Sequence, residues 1–227
     1  MLIGSTERVR ADFDRIAALS ARDREALGTY AKSLLRHVPR ECARVLEVGC
    51  GFGAFARVVA ERAGEVTAVD VSQEMLRVAA ERSRDHSNLQ FILGDFLRLE
   101  LEPESYDCIV TMTTLHHLPQ GEAVAKMKEL LRPGGVVVIH DMLDQDGAFD
   151  WALNVVRLPL NCLARFWRKG RLRERREVRR AWDEHGRHET YLKPKEVLAL
   201  RDEYLHGALV SLHLLWRYTI VWRKPEV

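Results

Sequence analysis

The sequence predicts an α/β fold of the doubly wound type, and three observations carry that prediction. From residue 44 onward, short apolar runs alternate with stretches of helical period. The first apolar run ends in a glycine-rich loop, Gly49-Cys50-Gly51-Phe52-Gly53, that opens a helix. The alternation continues to Asp141, and successive parallel strands need helical crossovers of this length.

The elements follow in order. Val9, Phe13, Ile16 and Ala17, then Tyr30, Leu34 and Leu35, fall at helical intervals among charges. Residues 6–37 are therefore expected to form one or two amphipathic helices, closed by Pro39, whose ring cannot continue a helix. Strands are expected at 45–48, 66–69, 89–93, 106–112 and 136–140, with helices at 55–62, 74–83 and 120–131. Pro133-Gly134-Gly135 reads as a sharp turn delivering the chain into the fifth strand. After Asp141 the rhythm breaks, and 151–182 reads as helical with interruptions at Pro159 and Gly170. A helix over 193–201 follows, with Pro194 in its first turn. Residues 208–222 alternate partially and suggest two strands joined near His213.

These elements divide the chain into an N-terminal helical cap (1–40), a ligand-binding core (44–141), a helical insertion (144–190) and a C-terminal helix with strands (191–227). With 227 residues and 47% apolar content, one hydrophobic core accounts for all four as a single domain.

No basic-then-apolar leader opens the sequence, and no apolar run approaches the roughly 18 residues of a membrane span, so a soluble cytoplasmic protein is expected. Cys42, Cys50, Cys108 and Cys162 stand far apart and without histidines at ligand spacing, which predicts reduced thiols and no metal site. The net charge of +2 is uneven. Residues 168–180 hold eight Lys or Arg against two Glu, leaving the remainder of the chain at −4. One local patch on an otherwise acidic chain argues against a dedicated nucleic-acid binder.

Glycines at 49, 51 and 53 permit positive φ and let a ligand approach bare backbone at a helix N-terminus. Asp70 lies 21 residues beyond Gly49, where an acid can accept hydrogen bonds from a ribose diol. Taken alone, this pattern fits a nicotinamide dinucleotide as well as S-adenosylmethionine (SAM).

The ordered set of motifs is more specific. Glu47-Val48-Gly49-Cys50-Gly51-Phe52-Gly53, Asp70, Gly94-Asp95-Phe96, Tyr106-Asp107, Thr114-Leu115-His116-His117-Leu118 and Leu130-Leu131-Arg132-Pro133-Gly134-Gly135 together resemble the class I SAM-dependent methyltransferases over residues 44–141. The resemblance implies a Rossmann-like, seven-stranded sheet whose last strand is antiparallel. It implies that Glu47 and the Gly49, Cys50, Gly51 and Gly53 loop hold the methionine end of SAM. By the same resemblance Asp70 holds the ribose, and Gly94, Asp95 and Phe96, with Val71 and Met75, surround the adenine. Thr111 and Met112 border the sulfonium, and S-adenosylhomocysteine (SAH) is the product. Charge agrees with this: no Lys or Arg lies between Val45 and Ala56 to meet a pyrophosphate, while Glu47, Asp70 and Asp95 suit a cationic ligand.

Methyl transfer is an in-line displacement, so the protein aligns the acceptor and removes a proton where the nucleophile carries one. His116, His117 and Asp141 at the ends of strands four and five are the expected catalytic residues, with His185, His188 and Tyr191 as outlying candidates. The insertion has three readings: a lid, an interfacial helix on anionic lipid through 151–180, or an RNA-facing patch. The lid is favoured, because Glu174 and Glu177 are spaced to pair internally with Arg171 or Arg180. The resulting expectation is methylation of an O, N or C nucleophile on a small organic molecule, by a monomer or homodimer. A lipid or quinone acceptor at the membrane surface, or a non-catalytic SAM-binding role, stand as alternatives.

Overall fold

The computed structural model describes residues 3–23, 27, 30–144, 159–160, 162–163 and 175–226. In chain order the elements are α1 (Ile3–Ser20), α2 (Ala31–Leu34), β1 (Arg44–Val48), α3 (Ala54–Ala60), β2 (Glu65–Asp70), α4 (Gln73–Arg82), β3 (Leu89–Leu93) and β4 (Tyr106–Met112). A 3-10 turn (Leu115–His117), α5 (Gln120–Leu130), β5 (Leu131–Met142), α6 (Arg176–Gly186), α7 (Pro194–Tyr204), β6 (Leu209–His213) and β7 (Arg217–Arg223) complete the order.

The seven strands form one sheet in the order β3-β2-β1-β4-β5-β7-β6. β1 to β5 are mutually parallel, and β7 runs antiparallel to both β5 and β6. This is the doubly wound architecture, with its last strand reversed as expected. The central strands are continuous apolar runs because helices cover both faces. Along β4, Ile109 faces Met127, Leu130 and Val197 of α5 and α7, whereas Cys108 and Val110 face Ala56 and Val59 of α3. β5 alternates likewise, Val137 and Ile139 to one side and Val136 and Val138 to the other.

A third, smaller cluster joins Ile16 and Ala17 of α1 to Met75 of α4 and Ala181 of α6. α1 therefore crosses the carboxyl edge of the sheet, held by its apolar stripe against two helices. Polar contacts fix its register: Asp14 Oδ1 accepts from Ser72 Oγ at 2.6 Å and from Glu74 N at 3.2 Å, at the start of α4.

Two local expectations change. Pro133-Gly134-Gly135 lies inside β5, because Leu131 already pairs with Tyr106 before Val136 pairs with Cys108. The extra residues, with Gly134 at φ +74, bulge out of the ladder where a free turn was expected. Arg180 pairs with Glu184 at 2.8 Å, one turn onward, and not with Glu177. Glu184 also meets Arg15 of α1 at 2.6 Å, and Arg175 reaches Asp23 at 3.6 Å, so the described end of the basic segment is tied to the N-terminal helix. Arg171, Glu174 and most of the apolar half of the insertion lie outside the described residues. No described helix is long and apolar enough to cross a membrane.

Candidate active site

The strand order reverses between β1 and β4, and the carboxyl ends of these strands open the crevice where ligands of such sheets bind. The loop leaving β1 is shaped by three left-handed glycines, Gly49, Gly51 and Gly53, at φ +75, +52 and +73. Gly49 has a steric reason as well: a Cβ there would collide with the side chain of Thr114, in the segment after β4. Gly51 differs, since a Cβ on it would meet no atom within 4 Å. The backbone of Gly51 is thus left open while that of Gly49 is packed against a neighbouring loop.

Asp70, at the end of β2, secures this loop. Its Oδ2 accepts from Gly51 N at 2.8 Å and its Oδ1 from Ser72 N at 2.9 Å. Burial pushes its pKa up, and these amide hydrogen bonds oppose the rise. Capping of α4 falls to Ser72, whose Oγ accepts from Met75 N at 3.1 Å. Glu47 on β1 is 3% exposed, and its Oε2 has no hydrogen-bond partner. Burial first, and the Asp70 charge second, push its pKa up to about 8. A buried carboxyl with one oxygen unpartnered, beside an open glycine backbone, suits a cationic group.

At the end of β3, Gly94 N donates to Asp70 O at 3.0 Å, and Asp95 Oδ1 accepts from Leu97 N at 3.0 Å, capping its own turn. Val71, Gly94 and Asp95 line a cleft whose other wall is Thr6, Glu7 and Arg10 of α1. Nothing in the local sequence of α1 marks those three residues as cleft-lining; only the docking of the helix brings them there. Met75 stands apart from the cleft, buried against Ile16 and Ala17. Phe96 is 3% exposed in the main core, with Lys126 Nζ 5.3 Å over its ring. Cys50 is buried in the α3-side core, and Thr111 is 1% exposed with its Oγ1 unpartnered. Met112, next to it, is only partly buried.

Beyond β4 the backbone is strained. Thr113 has φ +57, a rare conformation for a β-branched residue, and its N–H donates to His140 O at 2.7 Å. The strained turn sends the chain into His116 and His117. Asp141, fully buried on β5, accepts from His116 N at 2.9 Å through Oδ2 and from His116 Nδ1 at 2.7 Å through Oδ1. Asp141 has no surface left for an acceptor; it orients His116 and leaves Nε2 as the free lone pair of that ring.

His117 bonds to Glu189, Nδ1 to Oε2 at 2.9 Å, and both side chains are 6% exposed. Burial, and then the neighbouring His116 and His185, hold the His117 pKa well below the usual imidazole range. His185 of α6 completes the group: its Nε2 lies 3.8 Å from Glu189 Oε1, and its Nδ1 bonds to Asp12 Oδ2 of α1 at 3.1 Å. Phe13 packs against the rings of His117 and His185 at 5.4 and 4.8 Å. Tyr191 approaches His116 at 5.0 Å, whereas His188 is exposed. Glu189 and Asp12 were missed from sequence because they lie 72 and 173 residues from the histidines they bond.

Residues 45–135 match the model of a methyltransferase domain family. Over this stretch the chain carries a methyltransferase domain, similar to those of the class I SAM-dependent methyltransferases. An uncharacterized methyltransferase of Geobacillus sp. is 32% identical over 138 residues, 59% of this chain and 64% of that protein. A ubiquinone biosynthesis O-methyltransferase of Idiomarina loihiensis is 28% identical over 165 residues, 70% of this chain and 59% of that protein. The aligned stretch thus covers about three fifths of the length of these relatives. Among solved structures, the N-methyltransferase NodS of Bradyrhizobium japonicum, in complex with SAH, shares the fold with a TM-score of 0.58 at 20% identity, covering 86% of each chain. The methyltransferase match begins at β1 and ends within β5, so it covers the strands that form the crevice.

Proposed function

We propose that this methyltransferase transfers the methyl group of SAM to a protonated oxygen or nitrogen of a small organic acceptor. The observation that carries the reading is the pairing of the open Gly51 backbone, fixed by Asp70, with the buried carboxyl of Glu47, whose Oε2 has no hydrogen-bond partner. These residues fit the cofactor. Glu47 suits its ammonium, Asp70 its ribose diol, and Val71, Gly94 and Asp95 its adenine in the cleft under α1.

SAM supplies an electrophilic methyl carbon; the chain supplies position and a proton acceptor. Thr111 and Met112 end β4 beside the loop, and the strained Thr113 turn sets His116 beyond them. His116 Nε2 takes the acceptor's proton as the new carbon–heteroatom bond forms and the carbon–sulfur bond breaks. Asp141 holds the tautomer that makes this possible and stabilises the imidazolium that results. The apolar rings of Phe13 and Tyr191 border this end and exclude water.

Calorimetry with SAH, together with transfer of label from SAM into a metabolite extract, tests the reading. Asp70→Ala should abolish SAH binding. Asp141→Asn should bind SAH like the wild type but lose roughly 100-fold or more in transfer rate, the contribution of a general base. Undiminished binding in Asp70→Ala removes the cofactor assignment, and undiminished turnover in Asp141→Asn removes the base.

A further inference from the structure

The acceptor end of the site holds more nitrogen and oxygen donors than proton removal requires. His116, His117 and Glu189 each offer one ligand atom, and these atoms lie within 4.8 Å of one another. We propose that they bind a divalent transition ion of the zinc type. The inference deepens the reading of the same site and rests on it only for the ion's role in the reaction, not for its binding.

The donor set has the composition of catalytic zinc sites, two imidazoles and one carboxylate with a fourth position left for substrate or water. The closest pair, His117 Nδ1 and Glu189 Oε2, is already 2.9 Å apart. Two ligands on one ion, with bonds of about 2.0–2.1 Å, stand roughly 3.0–3.4 Å apart, so this pair needs little movement. The wider separations, at most 4.8 Å, close by up to about 1.5 Å through shifts of the His117 and Glu189 side chains.

The surroundings are also those of a metal site. Asp141 accepts a hydrogen bond from the Nδ1–H of His116, which fixes the ring and directs the lone pair of Nε2 outward, as carboxylates behind metal-bound histidines do. His185 stands behind Glu189 at 3.8 Å and is itself held by Asp12 at 3.1 Å. Glu189 is a carboxylate whose side chain is 6% exposed and whose near neighbours include two histidines and no Lys or Arg at ion-pair distance among the described residues. A cation in its place would balance a buried charge that imidazoles alone balance only when protonated. With an ion bound, the ion takes over the role given above to His116 Nε2 as base, and the lone pair of that nitrogen goes to the metal and not to a proton. The ion then lowers the pKa of a coordinated acceptor hydroxyl, whose proton passes to solvent before the methyl group moves. Local spacing hides the site, because Glu189 lies 72 residues beyond His117.

The test uses the full chain stripped of metal. Zinc titrated by calorimetry should bind at one equivalent with micromolar affinity or better, and cobalt should give the visible absorption of a four- or five-coordinate ion. His117→Ala and Glu189→Gln should each weaken binding by at least about 10-fold and abolish the cobalt spectrum, and Asp141→Asn should weaken it by about 10-fold. SAH binding, measured on each variant, shows that the variant is folded and tests the cofactor reading separately. Absence of stoichiometric zinc binding by wild-type protein that still binds SAH overturns the metal site and leaves the methyltransferase reading intact. Equal zinc affinity in Glu189→Gln and wild type overturns it too.

Discussion

Glu47 shows how much one buried side chain can reveal. Its carboxyl, 3% exposed and with Oε2 unpartnered, keeps its proton to about pH 8. Its folded-state pKa lies above the usual 4.5, so the native protein holds a proton that the unfolded chain has lost. The stability this confers is full below pH 4.5 and is lost as pH rises to about 8. Binding of a cationic ammonium reverses the preference and favours the carboxylate. Calorimetry with SAH at pH 7 in buffers of different ionisation enthalpy should therefore show release of approaching one proton per ligand. Glu47→Gln should release none. Equal heats in all buffers for the wild type would contradict the placement of Glu47 at the ammonium. The residue was legible in sequence as the acid of the first motif, but its protonation was not. That depends on burial by β2 and β4 and on the Asp70 charge, which no local pattern encodes.

At the scale of elements, the loop from β1 to α3 separates two uses of glycine. Gly49 is packed against Thr114, so Gly49→Ala combines a clash with an unfavourable φ and should cost about 2 kcal/mol or more in urea denaturation. Gly51→Ala meets no protein atom and should cost only about 1 kcal/mol, the penalty of its left-handed backbone. Its methyl group projects to the ligand side, however, so SAH affinity should fall by at least about 10-fold, a loss of about 1.4 kcal/mol. A Gly51→Ala variant that binds SAH normally would place the ligand elsewhere. The core elements were legible because their apolar runs and turns are local: β3 and β4 begin and end where the periodicity puts them. β5 was longer than expected because a ladder tolerates a bulge that sequence reads as a turn. The covering role of α1 was not legible, since its apolar stripe says only that it packs, not that Thr6, Glu7 and Arg10 then wall a cleft.

The whole molecule carries an acid sensitivity built into its sheet. His140 on β5 is 3% exposed, bonds to Thr219 Oγ1 of β7 at 2.9 Å, and stacks near Tyr30 at 4.9 Å. Burial, then the positive charges of Arg217 and His213, bring its pKa down to about 4, against a weaker opposing pull from Asp141. The folded protein thus resists a proton that the unfolded chain accepts near pH 6.5. The contribution is full above pH 6.5 and is lost as pH falls toward 4, reaching on the order of 2 kcal/mol by pH 5. Comparing urea midpoints of the wild type and His140→Asn across that range isolates the term. Parallel pH profiles for the two proteins would show that His140 does not titrate as its surroundings require.

The distance along the chain between Asp12 and His185, 173 residues, also bears on how the protein is made. At about 5–20 residues per second, a ribosome takes on the order of ten seconds or more to pass from one partner to the other. The residues at the start of α4 that α1 also contacts, Ser72, Glu74 and Met75, are made long before His185. The cofactor side can therefore close around a nascent chain long before the histidine side has its last members. The acceptor end is complete only once His185 and Glu189 have been made and stand against α1 and the turn after β4.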